Sequence, residues 1–384
     1  MKKSDKRELF ASCLAGLEPL LEQELKDFGC VDVEPAVRGC SFKTDYEGMV
    51  RVNLASRFAV RVLIPWYNGF AKSNDDLYHM GKRVEWESIM RSDSTFAISF
   101  TVNSKYFEHS QYAALKLKDS IADRFRMKFG KRPSVDKDNP DIRLHLRIQD
   151  DKVLISLDSS GESLHKRGYR PFGAKAPLNE CLAAGMIAFT GWDMKSPLLV
   201  PMCGSGTLVM EAAMMASNLP SQWFRPHYGF MKWTNFDEET TQKVRLELWQ
   251  QRKSEHLPIE ATDIERAAIR QTGDALKRIA WDHGISLEQM DFFQLPPREE
   301  PCTIILNPPY GERMRPENIE QLYRSIGLKL KNDFPGSTAW IISSNKEAYN
   351  HIGFKPSAKH TLYNGKLECV YSGFELYQGS RKEQ

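Results

Sequence analysis

Apolar positions along the first 60 residues change period repeatedly. They alternate over Glu8–Cys13, which predicts a strand, then recur at helical spacing over Leu17–Phe28. Strands near Val31–Pro35 and Cys40–Thr44, a helix over Tyr46–Leu54 and a strand over Val60–Trp66 complete a small α/β unit. Residues 70–158 continue in this mixed style. A helix precedes a strand at Thr95–Val102, and a long helix runs from about Gln111 to Phe129. Strands Arg143–Ile148 and Lys152–Asp158 close as a hairpin across Gln149–Asp151. The stretch Pro133–Pro140 cannot be helical throughout, because proline lacks the N–H and clashes with the preceding turn.

Gly161–Pro177 is basic and broken by glycine and proline, which predicts a linker. From Leu178 onward strands alternate with helices, the pattern of an α/β fold with a doubly wound, Rossmann-like parallel sheet. The expected order is helix Leu178–Phe189, strand Pro197–Pro201, helix Leu208–Ser217, strand Ile259–Asp263 and helix Arg266–Trp281. Strands Glu288–Asp291 and Cys302–Asn307, helix Asn318–Asn332 and strand Thr338–Ser343 follow, with an antiparallel pair near Thr361–Leu367 and Cys369–Leu376. An insertion over Asn218–Glu255 carries Trp223, Phe224, Tyr228, Phe230 and Trp233, which suit either a cover over an active site or simple packing.

Composition narrows the class. At 384 residues, 41% hydrophobic and 27% charged, the chain has the make-up of an ordinary globular protein of two or three domains. No apolar run reaches the length of a membrane span, and Glu18, Glu22 and Glu24 interrupt the stretch that an export signal would need. The seven cysteines are scattered and form no CxxC pair, so neither a disulfide framework nor a metal site is expected. A reduced cytoplasmic protein is the expectation. Net charge is only +3, but Lys116, Lys118, Arg124, Arg126, Lys128, Lys131 and Arg132 cluster between Lys116 and Arg132 against only Asp119 and Asp123, and Lys166, Arg167, Arg170 and Lys175 along the linker. Each cluster reads either as a solvated face or as a contact for nucleic-acid phosphates.

Three turns at predicted strand ends carry candidate chemistry. Pro201-Met202-Cys203-Gly204-Ser205-Gly206-Thr207 joins a strand to a helix, and its two glycines let backbone pass close to a ligand. It lacks the Lys-Ser/Thr of a phosphate-binding loop and the third glycine of the dinucleotide fingerprint. Asp263, before Ile264, ends the next strand and suits either the hydroxyls of a ribose or the cap of the following helix. Asp291 is placed to accept from an adenine amino group, with Phe292 beside the ring. The most specific element is Asn307-Pro308-Pro309-Tyr310 after an apolar strand. An amine conjugated to a base must pyramidalise to attack a methyl group, and something must hold its N–H groups meanwhile. The Asn307 side-chain oxygen and Pro308 carbonyl are acceptors, neither proline has a competing N–H, and Tyr310 offers a ring for an extruded base.

With these motifs the sequence resembles the S-adenosylmethionine (SAM)-dependent methyltransferases that modify amino groups of bases. More closely, residues 8–376 resemble the THUMP-domain family of guanine-N2 methyltransferases, in particular the N-terminal half of the RlmL type that acts on large-subunit ribosomal RNA. The resemblance is carried by Ser110-Gln111-Tyr112-Ala113-Ala114, Pro140-Asp141-Ile142-Arg143, Ser156-Leu157-Asp158, Gly161–Arg170, Met202–Thr207 and Asn307–Arg313. It implies a ferredoxin-like domain over residues 1–65, a THUMP domain over 66–160, a linker over 161–177 and a Rossmann-like catalytic domain over 178–384. It implies SAM held by Pro201, Cys203, Gly204, Ser205, Gly206, Asp263, Ile264, Asp291, Phe292 and Asn307. Catalysis falls to Asn307, Pro308, Pro309 and Tyr310. RNA, naked or in an assembly intermediate, would be met by Lys116, Lys118, Arg124, Lys166, Arg167 and Arg170.

One position departs from the family pattern: Val200 stands where an acidic residue usually holds the cofactor's amino group. The expectation is weakened SAM binding, with Glu180 or Glu211 as a substitute acid. Two other readings stay open: the same chemistry on transfer-RNA guanine or DNA adenine, and an RNA-binding assembly factor with a degenerate cofactor site.

Overall fold

The computed structural model describes residues 5–170, 178–253, 256–279, 284–309 and 316–377. The chain divides into two compact units, one of residues 1–13, 22–166 and 225–246, the other of 14–21, 167–224 and 247–384. In chain order the first half gives β1 (Arg7–Ser12), α1 (Glu18–Asp27), β2 (Val31–Ala36), β3 (Gly39–Thr44), α2 (Tyr46–Ala55), β4 (Arg61–Phe70) and α3 (Asn74–Arg83). Then come β5 (Thr95–Asn103), α4 (Ser110–Phe129), β6 (Ser134–Val135), β7 (Ile142–Gln149) and β8 (Lys152–Asp158). The second half gives α5 (Glu180–Phe189), β9 (Leu198–Pro201), α6 (Thr207–Ala216), α7 (Glu238–Gln250), β10 (Ile259–Asp263), α8 (Arg266–Ile279) and β11 (Ile285–Gln289). It ends with β12 (Thr303–Leu306), α9 (Pro316–Asp333), β13 (Thr338–Ser343), β14 (Ala358–Asn364) and β15 (Leu367–Glu375).

In the first unit all eight strands join one sheet in the order β2-β3-β1-β4-β8-β7-β5-β6. The boundary expected at residue 65 falls inside β4, which pairs with β1 at one end and β8 along its length. β7 shows why the sheet has two unlike faces. Ile142, Leu144, Leu146 and Ile148 are buried, while Arg143, His145, Arg147 and Gln149 point the other way. Helix starts are fixed locally: the Asp45 side chain accepts from the Gly48 N–H, and Ser73 from that of Asp76.

The second unit is built on a seven-stranded sheet, β11-β10-β9-β12-β13-β15-β14, parallel except for β15 and its partner β14. β9 and β12 are buried at every residue, as central parallel strands covered on both faces must be. The order reverses between β9 and β12, so the carboxyl ends of these two strands flank the crevice where such sheets bind ligands.

Three expectations need correction, and one open reading is resolved. β11 runs Ile285–Gln289, not to Asp291, because its register with β10 ends where Asp263 ends that strand. The hairpin turn falls on Gly365-Lys366, with Gly365 at φ 66°, so Leu367 opens β15 rather than closing β14. Residues 161–170 are no free linker, since Leu164, Arg167 and Tyr169 are buried; residues 171–177, with Lys175, lie outside the described residues. The insertion, left open between a cover and packing, divides between the two units. Residues 225–246 belong to the first unit, where Arg225 donates to the Ser160, Glu162 and Ser163 carbonyls and Phe230 packs edge-on against Tyr46. Trp223 stacks on Trp249 at 4.3 Å in the second unit. Its aromatics pack.

Candidate active site

The turn after β9 is held in an unusual backbone shape. Met202, Gly204 and Gly206 all lie in the left-handed region, at φ 54°, 56° and 79°. A Cβ on Gly206 would sit 2.5 Å from Thr272 Oγ1, so only glycine lets α6 start this close to α8. Met202 holds the same region with a side chain, a strain of the kind concentrated at binding turns. The Gly204 N–H donates to Asp263 Oδ2 at 2.8 Å, and the Glu265 N–H to Oδ1 at 2.9 Å. Asp263 thus ties the glycine turn to the end of β10 and caps the chain entering α8. A carboxylate has about four acceptor positions, so two bonds leave room for ribose hydroxyls.

A cavity of about 840 Å³ opens at these strand ends, within the rough range of 300–1,000 Å³ found for cofactor sites. Its wall brings together Cys203, Gly204, Ser205, Asp263, Ile264, Asp291, Phe292, Asn307 and Pro309. Ile264 is 64% exposed there, an apolar surface with nothing to cover it. Asp291 caps the turn after it through the Phe293 N–H, at 3.0 Å. Pro201, Gly206 and Pro308 shape the backbone without joining the wall, and Tyr310 lies outside the described residues. Phe292 is a partial correction: its ring is buried in the core parallel to Phe334, so it is not a free face for an adenine. Burial and the nearby Asp263 charge push the Cys203 thiol up to about 12, which keeps it protonated.

Residues that the motifs did not indicate also line the cavity. Ala267, Ala268 and Gln271 come from the first turns of α8, Leu178 precedes α5 and Leu322 lies on α9. The α8 group had a readable signal, a small-residue pair one turn past the strand-end acid.

The most telling atom is Asn307 Oδ1. It is buried, on a residue that lines the cavity, and no hydrogen-bond donor among the described residues reaches it. A buried acceptor left unmatched costs about 1–3 kcal/mol, so such an atom at a cavity wall is poised for a donor from a ligand.

Behind the turn lies a buried ionic cluster. Val200 is fully buried in β9 and not in the cavity wall. Glu211 Oε1 accepts from Tyr169 at 3.0 Å and meets Arg167 Nε at 3.4 Å, with both side chains of the pair fully buried. Arg170 donates to the Leu178 carbonyl and Thr207 Oγ1, both on cavity-lining residues, and its guanidinium lies 3.4 Å from Glu180. Among the described residues Glu180 Oε2 and Arg170 Nε have no partner. Burial pushes the Glu180 carboxyl up to about 7, against the pull of Arg170.

This corrects two of the expected RNA contacts. Arg167 is inaccessible, and Arg170 is spent on the cavity's rear wall. Arg124 makes a two-pronged bond to Glu87 at 2.6 and 2.9 Å, holding that carboxyl down near 2, and donates to the Lys82 carbonyl. Lys118 pairs with Asp119 at 2.7 Å and Lys166 with Glu162. Lys116 lies over the Tyr112 ring at 5.4 Å. Sequence shows where cations cluster, but their carboxylate partners come from distant segments. All seven cysteines are buried with free thiols. Among the described residues no group of three or more potential ligands could hold a metal, and no helix is long and apolar enough to cross a membrane.

Comparison with known proteins agrees with this geometry. Residues 167–373, more than half the chain, match the model of the RMKL-like methyltransferase domain. Residues 71–158 match that of the THUMP domain, and 8–63 that of the RlmL ferredoxin-like domain. The chain is 38% identical over 381 residues to a ribosomal RNA large subunit methyltransferase K/L of Syntrophotalea carbinolica, covering 96% of this chain but 53% of the relative. It therefore spans about half the length of that curated relative. A putative RNA methyltransferase of Synechocystis is 34% identical, with 97% of each chain covered. Among solved structures, a putative methyltransferase complexed with SAH superposes with a TM-score of 0.87 at 25% identity, covering 99% of this chain and all of the other. A possible methylase of Clostridium difficile gives 0.86 at 28% identity, covering 98% and 100%.

Proposed function

The chain belongs to the RMKL-like methyltransferase family, and from that premise we propose that it methylates the exocyclic N2 amine of a guanine in structured RNA, with large-subunit ribosomal RNA as substrate. SAM would supply the methyl group on a positively charged sulfur. The observation that carries the reading is Asn307 Oδ1, a buried acceptor without a donor at the cavity wall. A guanine amine entering the cavity gives it one. The Asn307 oxygen and the Pro308 carbonyl accept its two N–H groups as the nitrogen pyramidalises and its lone pair turns toward the methyl carbon. The new N–C bond forms as the S–C bond breaks, and the amine's proton leaves to solvent. The chain contributes position and dry electrostatics, the terms that dominate when a cofactor carries the reactive group.

The cofactor's parts find matching groups. Asp263 accepts from the ribose hydroxyls, Asp291 from the adenine amine, and Ile264 packs against the adenine ring. Glu180, buried beside Arg170 behind the cavity wall, would stand in for the acid absent at Val200 toward the ammonium of the methionine end. The names of the relatives support RNA, and the THUMP match supports a structured substrate.

Transfer of labelled methyl from SAM onto ribosomal RNA, transfer RNA and DNA from cells lacking this gene, followed by nucleoside analysis, tests the whole reading. N2-methylguanosine in large-subunit RNA is the expected product. Label in transfer RNA or as N6-methyladenine would overturn the substrate, and no label at saturating SAM would overturn the enzyme.

A further inference from the structure

On the sheet of the first unit, one face near the hairpin turn Asp150-Asp151 carries cations that have no carboxylate partner among the described residues. Arg147 on β7 bonds only the neutral Gln149, and Lys152 opens β8 with its amine unengaged. Lys152 pairs with Phe70 at the end of β4, so the two share a face, and Phe70 is 71% exposed. At the same sheet end Tyr106 holds the Lys72 and Lys105 amines over its ring, at 6.0 and 5.2 Å. Asp150 and Ala71 tie these segments together through backbone bonds to Asn103 and Asp151.

The contrast with α4 is direct. There Lys118, Arg124, Arg126 and Lys128 are all paired with Asp119, Glu87 or Asp123 at 3.0 Å or less. A cation already paired gains little from a phosphate, because one salt bridge is exchanged for another. A cation facing only water gains counterion release.

We propose that this sheet end, with Arg147, Lys152, Lys72 and Lys105 around Phe70 and Tyr106, is the surface that holds the RNA. It rests on the RNA reading above and names the face that does the holding. The cations take backbone phosphates, and Phe70 stacks an unpaired base. Exposed aromatics among basic groups suit single-stranded segments of a folded RNA, where bases are free to stack.

The test uses the full chain and a fluorescein-labelled RNA hairpin with a single-stranded flank, followed by anisotropy over a range of salt. The double variant Arg147→Glu, Lys152→Glu is expected to weaken binding by tenfold or more at low salt, and to lower the salt slope by about 1.5–2 because two phosphate contacts are lost. Phe70→Ala should weaken binding about tenfold with the slope unchanged, the mark of a lost stack rather than a lost charge. Arg126→Glu with Lys128→Glu, both already paired on α4, should change affinity less than twofold. The proposal is overturned if the α4 variant loses as much as the sheet variant, if the sheet variant binds as well as the parent, or if it loses affinity with an unaltered slope. A parent chain that binds SAM by calorimetry but does not bind the hairpin would overturn the RNA reading itself, a pattern no surface variant can imitate.

Discussion

The cavity of the second unit and the sheet end of the first hold their unmatched polar groups in opposite ways. At and behind the cavity wall they are buried: among the described residues Asn307 Oδ1, on the wall, and Glu180 Oε2 and Arg170 Nε, behind it, lack partners where water cannot replace them. At the sheet end the unpaired groups are charges in open solvent, on Arg147 and Lys152. A buried orphan has one specific ligand group to match and is costly until matched, whereas a solvated cation is nearly free to keep and accepts any phosphate. The comparison implies that single changes in the cavity abolish chemistry, and that changes on the surface grade affinity.

The largest effect should come from Asn307→Ala. Removing one preorganised polar group from a reacting centre typically costs on the order of 10²–10³ in rate. Methyl transfer should fall at least that far, with SAM affinity by calorimetry and RNA affinity nearly unchanged. Loss of RNA binding instead would make Asn307 a structural residue and erase the contrast.

Next is Gly206→Ala. The added methyl meets Thr272 and the left-handed backbone costs roughly 1–2 kcal/mol, with overpacking adding about 1–3 kcal/mol. Chemical denaturation should show a loss of at least about 2 kcal/mol, and Thr272→Ala should restore part of it.

Glu180 sharpens the comparison through pH. With its carboxyl up at about 7, the protein alone is protonated there at pH 6 and largely ionised at pH 8. A ligand ammonium favours the ionised form, so SAM affinity should rise between pH 6 and 8, and Glu180→Gln should bind more weakly and lose that dependence. The sign for stability is opposite. A carboxyl raised in the folded state binds more protons than in the unfolded chain, so its contribution falls as pH rises from about 4.5 to about 7.

The smallest effect is expected from Glu87→Gln on the paired surface. It removes a two-pronged bond to Arg124 and should cost about 1 kcal/mol in unfolding experiments at pH 7. Because the Glu87 carboxyl sits near 2, the parent should lose this advantage only as pH falls below the ordinary carboxylate range, and the variant should show no such loss.

What could be read from sequence follows the same division. Strand-end turns were legible because their chemistry is local. Gly204, Gly206, Asn307 and the two prolines constrain the backbone by themselves, and their order along the chain matches the order of strand ends at the crevice. Cationic surfaces were not. Arg124 and Arg167 looked alike as basic residues in clusters, and only Glu87, 37 residues upstream of Arg124, and Glu211, 44 residues beyond Arg167, decide their fates. The burial of the Phe292 ring could not be read for the same reason, since its partner Phe334 is distant in sequence.

The membership of residues 225–246 in the first unit has a practical consequence for anyone dividing the chain. The family boundaries suggest a clean cut before residue 167, yet a fragment starting there would carry Tyr228, Phe230 and Arg225 without the Tyr46 ring and the Ser160, Glu162 and Ser163 carbonyls that satisfy them. It would also lack residues 14–21, where Leu17 lies against Gly185. The two halves are interlaced in the gene. A shuffled or truncated descendant inherits either sticky surface or a missing wall, so such a chain is expected to be passed on and exchanged as a whole.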